Sequence, residues 1–299
     1  MKPPVLIICF RRPSNLDVIV RACEDKSRDI YIFVDKCDDY DELNTEVCRL
    51  ANEHAKSAQR IKVMISKKNL GVRFAVPTAI DWALESCESL IVLEDDCIPN
   101  QYALDYFDKS IKLINQETVI VSGSTLPNFP DKLSGFIYES AYPLIWGWGL
   151  TKNSWAKIRP DYSFASREVL LSILKYPNRT IPILFFYAAV IRIDRGLLNA
   201  WDSPVALRML TRNYKSVIPD TAVISNVGQD EVASHFESIS TKHEQTVTSY
   251  GNRPPSTIKN SNRKLSRKID KEMQNQIYKM KIRHILSPLK SKITQSFAG

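Results

Sequence analysis

Ser89-Leu90-Ile91-Val92-Leu93-Glu94-Asp95-Asp96-Cys97-Ile98-Pro99-Asn100 is an apolar run cut off by three consecutive carboxylates. Leu90 to Leu93 reads as a short strand buried on both faces, because it carries β-branched residues and shows no alternation. Glu94, Asp95 and Asp96 then stand at its C-terminal end, and Pro99-Asn100 opens a turn. Three adjacent acids repel one another, and a buried strand has no need of them. There are two readings. One is a solvated acidic loop. The other is a site for a hard divalent cation such as Mg2+ or Mn2+, which takes oxygen ligands and keeps positions open for phosphates. Ligands of open α/β sheets bind outside the carboxyl ends of the strands, so a buried strand in front of the acids favours the second reading.

The chain before this stretch repeats one rhythm. Val5 to Phe10, Ile30 to Val34 and Ile61 to Ile65 are further apolar runs. Between them lie segments with helical spacing. Leu16, Ile19, Val20 and Cys23 follow Ser14, which can cap a helix with Asp17 three residues on; Leu43, Val47, Leu50 and Ala51 form the next set. Val72 to Ser86 reads as a helix despite Pro77. Strand and helix alternating in this way predict an α/β fold with a mostly parallel central sheet and helical crossovers. Tyr102 to Ile114 continues as a helix and Val119 to Ser122 as a strand.

From Leu126 the rhythm breaks. Pro127, Pro130, Gly135 and Pro143 mark loops, and Trp146-Gly147-Trp148-Gly149 comes next. Asp194 to Arg208 reads as helical at its ends, with Trp201-Asp202 inside it. Ser216 to Ile218 and Ala222 to Ile224 are short strand candidates, and Asn226-Val227-Gly228 is a turn. After the linker Gly251-Asn252-Arg253-Pro254-Pro255, Leu265, Ile269, Met273, Ile277 and Met280 recur at three- and four-residue spacing among lysines and arginines. This predicts a basic amphipathic helix as a C-terminal extension.

The 299 residues carry a formal net charge of +8. Residues 253–299 hold twelve Lys and Arg against two Asp and Glu, so the rest of the chain is close to neutral. A uniformly basic nucleic-acid surface is therefore not expected. The tail has two readings: it lies on an anionic membrane surface, or it packs against the body or a partner or stays disordered. The six cysteines form no Cys-x-x-Cys pair, which argues for reduced thiols. No apolar run reaches the length of a membrane span. The opening residues lack a signal-peptide pattern, so the expected location is cytoplasmic, peripheral on the inner membrane surface if the tail binds lipid.

Only nine glycines occur, and no glycine-rich phosphate loop follows the first apolar run. Nucleotide binding would need other groups. Arg11 or Arg12 and Asp35 stand at the ends of the first two predicted strands, where an Arg can pair with phosphate and an Asp can accept from a base or ribose.

The order Cys9-Phe10-Arg11-Arg12-Pro13, Asp35, Asn69-Leu70-Gly71-Val72-Arg73 and Glu94-Asp95-Asp96 resembles GT-A nucleotide-sugar glycosyltransferases, nearest the N-acetylglucosaminyltransferase I group and its bacterial relatives. The resemblance continues through Trp146-Gly147-Trp148-Gly149, Trp201-Asp202 and the span from Asn226 to His235, roughly residues 3 to 240. It implies a GT-A (Rossmann-like) fold, with residues 1–123 as a donor-binding half, 124–250 as an acceptor-binding and catalytic half, and 251–299 as the tail. It implies that Asp96 and His235 serve a Mn2+ or Mg2+ ion. Arg11, Arg12, Asp35, Arg73, Glu94 and Asp95 would contact the nucleotide-sugar donor, which the family draws from UDP-sugars. Asp202 would be the catalytic base of an inverting transfer to a hydroxyl of a glycan or lipid-linked glycan. Trp146 and Trp148 are either core and loop anchors or an aromatic platform for the acceptor sugar. Two other functions stay open: a sugar-phosphate nucleotidyltransferase, and a non-catalytic carbohydrate-binding or scaffold protein.

Overall fold

The computed structural model describes residues 2–24, 27–128, 134–228, 253–260, 262–278 and 280. The first part alternates as expected: β1 (Val5–Cys9), α1 (Pro13–Cys23), β2 (Ile30–Val34), α2 (Glu42–Ser57), β3 (Ile61–Ile65), α3 (Val72–Leu84) and β4 (Ser89–Glu94). These strands lie in the order β3-β2-β1-β4, all parallel. The continuous apolar runs have a direct cause. Val5, Ile7 and Cys9 join the core under α1 and α2, while Leu6 and Ile8 join the core under α3, so neither face of β1 meets water. At α1 the expected Ser14 cap is displaced. Pro13 opens the helix, where its missing N–H costs nothing, and Arg12 takes the cap position without a side-chain capping bond.

The chain continues through β5 (Cys97–Pro99), α4 (Ala103–Ser110), β6 (Thr118–Ser122), β7 (Ile137–Ser140), β8 (Trp148–Thr151), α5 (Lys152–Ile158), α6 (Ser166–Lys175), α7 (Thr180–Asp194) and α8 (Asp202–Arg212). It ends its described part with β9 (Lys215–Ile218), β10 (Ile224–Asn226), β11 (Lys259–Asn260) and α9 (Arg263–Glu272). Nine strands form one sheet, β11-β7-β9-β6-β8-β4-β1-β2-β3, in which five of the eight pairings are parallel. The α/β class and the mostly parallel sheet flanked by helices are as expected. The Trp146-Gly147-Trp148-Gly149 stretch, for which no strand was expected, leads into a central one: β8 runs antiparallel between β4 and β6. Its Gly149 is required by close packing, since a Cβ there would press on Ile111 and Phe107. The two halves expected from the sequence therefore share one sheet.

A second, two-stranded sheet pairs β10 with β5. This pairing brings the turn after Asn226 back to the acidic stretch.

The C-terminal segment 253–278 packs on the body. Arg253 reaches the buried Asp220 carboxylate at 2.7 Å, β11 extends the sheet beside β7, and Asp270 of α9 accepts from Ser140 Oγ and Ala141 N, each at 2.8 Å. Ile269 and Met273 are fully buried, and Tyr278 meets the rings of Tyr142 and Phe186. Of the two readings of the basic helix, packing on the body is the one realised over residues 263–278. Its apolar side is used internally and is not free to enter a membrane. Residues 281–299 lie outside the described part.

One buried charge braces the first half. Arg28, with no side-chain exposure, donates to both oxygens of Asp108 at 2.9 Å and to Pro3 O. Asp108→Ala leaves that guanidinium buried without its counter-ion, and we expect a loss of roughly 3 kcal/mol in urea unfolding. Loss below about 1 kcal/mol would mean that the arginine relaxes to solvent.

Candidate active site

The site forms where β1, β2 and β4 end side by side. Two of the four acids there are structural clamps. Asp95 Oδ2 accepts from Phe10 N at 2.9 Å, its Oδ1 pairs with Arg12 at 2.7 Å, and its carbonyl accepts from Asn15 at 2.8 Å. It therefore ties the end of β4 to the end of β1 and the start of α1. Burial pushes the Asp95 carboxyl up, and Arg12 and the Phe10 amide hold it down. Asp35, at the end of β2, does the same for the β3–α3 loop. Its Oδ1 accepts from Leu70 N at 2.8 Å and Ser66 Oγ at 3.1 Å, and its Oδ2 from Gly71 N at 2.9 Å. Burial raises its pKa and these bonds oppose the rise.

Between these ends lies a cavity of about 320 Å³, whose wall includes Arg11, Arg12, Asp35, Glu94, Asp95 and Asp96. Glu94 is half-buried at the wall, and burial pushes its carboxyl well up. The charges of Asp96, Asp95 and Asp202 push the same way, against Arg12. Asp96 is pinned by its backbone, with its carbonyl accepting from Val227 N at 2.9 Å. Its carboxylate rests on Gly228, where a Cβ would collide with Oδ2. Glycine is thus needed there by close approach. Arg11 pairs with Asp41 at 2.8 Å and keeps a buried Nε–H without an acceptor.

Asp202 lies outside the cavity wall, and its charge reaches Glu94. The stretch Asp194 to Arg208, expected to be helical at its ends, holds the last residue of α7, a turn, and the start of α8. α7 ends at Asp194, Gly196 turns with φ +70°, and α8 restarts at Asp202. Asp202 therefore occupies the first turn of a helix, where the dipole favours a carboxylate. Ser203 Oγ donates to its Oδ1 at 3.4 Å. The loop between the helices also brings Asn199 into the cavity wall, beside Gly71.

Several expected site residues stand elsewhere. Trp148 is not an acceptor platform. It is completely buried in β8 and stacks on Trp201 at 5.9 Å and 22°, so it anchors the residue preceding Asp202. Trp146 is half-buried, packed against two core clusters, with its carbonyl held by Ser124 Oγ at 2.7 Å. Arg73 is absent from the cavity wall. Its guanidinium lies over the Tyr162 ring at 4.1 Å and donates to Ile193 O at 3.1 Å, a carbonyl near the end of α7 that also accepts from Gly196 N at 3.0 Å. His235 lies outside the described residues. Asn69, Asn199 and Gly228 belong to the wall without having been singled out; Gly228 was legible only as a turn residue.

Gly71 carries a prediction. Its φ of +67° and ψ of 157° fall where only glycine is comfortable, and its N–H is held by Asp35 and Asn69. Gly71→Ala should lower stability by about 1–3 kcal/mol in urea unfolding. An unchanged midpoint would show that the loop can adopt another conformation.

Among the described residues no three His, Cys, Asp or Glu side chains are grouped to hold a metal ion by themselves. Glu94 and Asp96 offer hard oxygen donors at one wall. Such a pair fits a cation that completes its shell with phosphate oxygens and water.

No protein-family model and no curated protein matches the chain. Among solved structures it is similar to the mannosyltransferase PcManGT from Pyrobaculum calidifontis in complex with GDP-Man and Mn2+, at 12% identity and a TM-score of 0.41. The match covers 73% of this chain and 55% of that one, so this chain spans about half the length of that protein. A likeness of this level assigns neither residues nor substrate.

Proposed function

We propose that this chain is a metal-dependent inverting glycosyltransferase of the GT-A type. In this reading it moves a hexosyl or N-acetylhexosaminyl group from a nucleotide-sugar donor, UDP-linked by preference, to a hydroxyl of a surface glycan or glycolipid. One observation carries the reading. A cavity at the carboxyl ends of β1, β2 and β4 holds Glu94 and Asp96, and Asp202 lies close enough for its charge to act on Glu94. Leaving-group chemistry and proton removal thus have separate carboxylates at one site.

Glu94 and Asp96 would hold a divalent cation together with the donor diphosphate, and that ion supplies Lewis-acid neutralisation of the departing charge. Arg11, with its unpartnered Nε–H at the wall, donates to the nucleotide side. Asp35 and Asp95 hold the loops that bound the cavity and leave the metal-facing role to the other two acids. The acceptor oxygen attacks the anomeric carbon as the bond to the diphosphate oxygen breaks. Asp202 takes the hydroxyl proton, and attack opposite the leaving group inverts the configuration.

The test is a screen of nucleotide sugars for release of nucleoside diphosphate with and without Mn2+, beside calorimetry of UDP and GDP. Metal-enhanced binding of one diphosphate and release from its sugar conjugates are expected. Failure of every donor in both assays would sink the reading, and preference for GDP would replace the UDP assignment.

A further inference from the structure

Helix α6 covers its neighbours with one face and leaves the other bare. Val169 and Ser172 turn inward. Leu170, Leu171 and Leu174 are 57%, 55% and 70% exposed. At positions i, i+1 and i+4 they stand together on one face. Single exposed leucines are ordinary; three adjoining ones on a helix of ten residues form a patch.

The rim of that patch is cationic. Arg167 precedes Leu170 and Leu171 by three and four residues, and Lys175 follows Leu171 by four, so helical spacing sets both on the same face. Past the helix end, Lys175 and Arg179 each lie 5.4 Å from the Tyr176 ring. The one acid of α6, Glu168, is held by Arg212 at 2.6 Å. The surface is therefore apolar at its centre and basic at its edges, with a tyrosine at one end.

Charge decides the occupant. A second copy laid across this face antiparallel would set Arg167 against Lys175, cation on cation. An anionic lipid surface satisfies both features at once: leucines enter the headgroup boundary, basic side chains meet lipid phosphates, and tyrosine suits the interface. We propose that α6 seats this protein on an anionic lipid bilayer. No helix among the described residues is long and apolar enough to cross a membrane, so seating through α6 is peripheral. α6 packs on α7 and α8, and its Glu168 meets Arg212 at the C-terminal end of α8. The seating itself does not depend on the activity.

The test is flotation of the full chain with vesicles of phosphatidylcholine, with and without one-third phosphatidylglycerol. The unaltered protein should float with the anionic vesicles and only weakly with neutral ones. Leu170→Ser/Leu171→Ser/Leu174→Ser should reduce partitioning by at least about a hundredfold. Arg167→Gln and Lys175→Gln should each reduce it about fivefold, on anionic vesicles only. Far-UV dichroism and melting temperature check that the variants fold, which their exposed positions favour. Absence of flotation by the unaltered chain, or equal flotation of the leucine variant, overturns the proposal. So does a dimer in light scattering that the leucine substitutions dissociate, which would assign the face to a second copy.

Discussion

Asp96→Asn is expected to abolish metal-enhanced binding of the nucleoside diphosphate and to lower donor turnover about 10²–10⁴-fold. The size follows from the position of the carboxylate. The Asp96 backbone is tied to Val227 N, and its carboxylate accepts from Cys97 Sγ at 3.3 Å and lies against Gly228 at the cavity wall. Removing its charge leaves Glu94 as the one other metal-facing acid of the pair, and a single carboxylate is a poor anchor for a cation bridging a diphosphate. The fold should not suffer. Asp96, Asp95 and Asp202 all push the Glu94 carboxyl up, so neutralising one of them relieves repulsion. The melting temperature of the metal-free variant should be unchanged or slightly raised. Calorimetry of UDP with and without Mn2+, together with a melt, separates the outcomes. Metal-enhanced binding that survives in Asp96→Asn would remove this residue from the metal site. A large fall in melting temperature would make it a structural clamp like Asp95.

That contrast among three adjacent acids marks the limit of what the sequence discloses. The triplet at the end of a buried strand is visible as a pattern, because β1, β2 and β4 are continuous apolar runs and each ends in polar residues. Their parallel order and shared edge follow from the strand–helix rhythm. Which of the three acids faces the cavity depends on turn geometry after Glu94, and on β10 returning more than 120 residues later to pair with β5. No local pattern encodes that return. Arg73 and Trp148 fail for a related reason. An arginine at a helix start and a tryptophan between glycines look available for ligands, but the end of α7 and Trp201 reach them first. Gly149 gives no sign of a strand in the sequence, and it is glycine because β8 passes tightly under Ile111 and Phe107. The break between α7 and α8 hides in an apolar stretch whose only local sign is Gly196. The basic C-terminal helix had a correct periodicity and an undetermined partner, and burial of Ile269 and Met273 in the body decides it.

Asp202→Asn should bind donor as the unaltered protein does and lose about 10²–10⁴-fold in transfer. The amide keeps the shape of the carboxylate and its place in the first turn of α8, where the change in charge costs only about 0.3–1 kcal/mol of helix stability. It cannot accept the hydroxyl proton. Donor binding is expected to persist because the cavity wall is built by β1, β2, β4 and the turn at Gly228, while Asp202 stands outside that wall. A base that only orients the fold and a base that takes a proton predict different rescues. If Asp202 removes the acceptor proton, a small anionic nucleophile such as azide needs no deprotonation and should restore sugar release from the donor in the Asn variant, giving an inverted glycosyl azide. A structural role gives no such rescue. Trp201→Phe supplies the matching control. It loosens the stacking on Trp148 that anchors the start of α8 and so displaces the base; transfer should fall about tenfold while azide, which needs no base, reacts as it does with the unaltered protein. Full transfer activity in Asp202→Asn, or loss of donor binding in that variant, would remove Asp202 from the reaction. The base would then be sought among the other carboxylates of the site, with Glu94 first, since burial and the neighbouring acids push its carboxyl up and so favour its holding a proton.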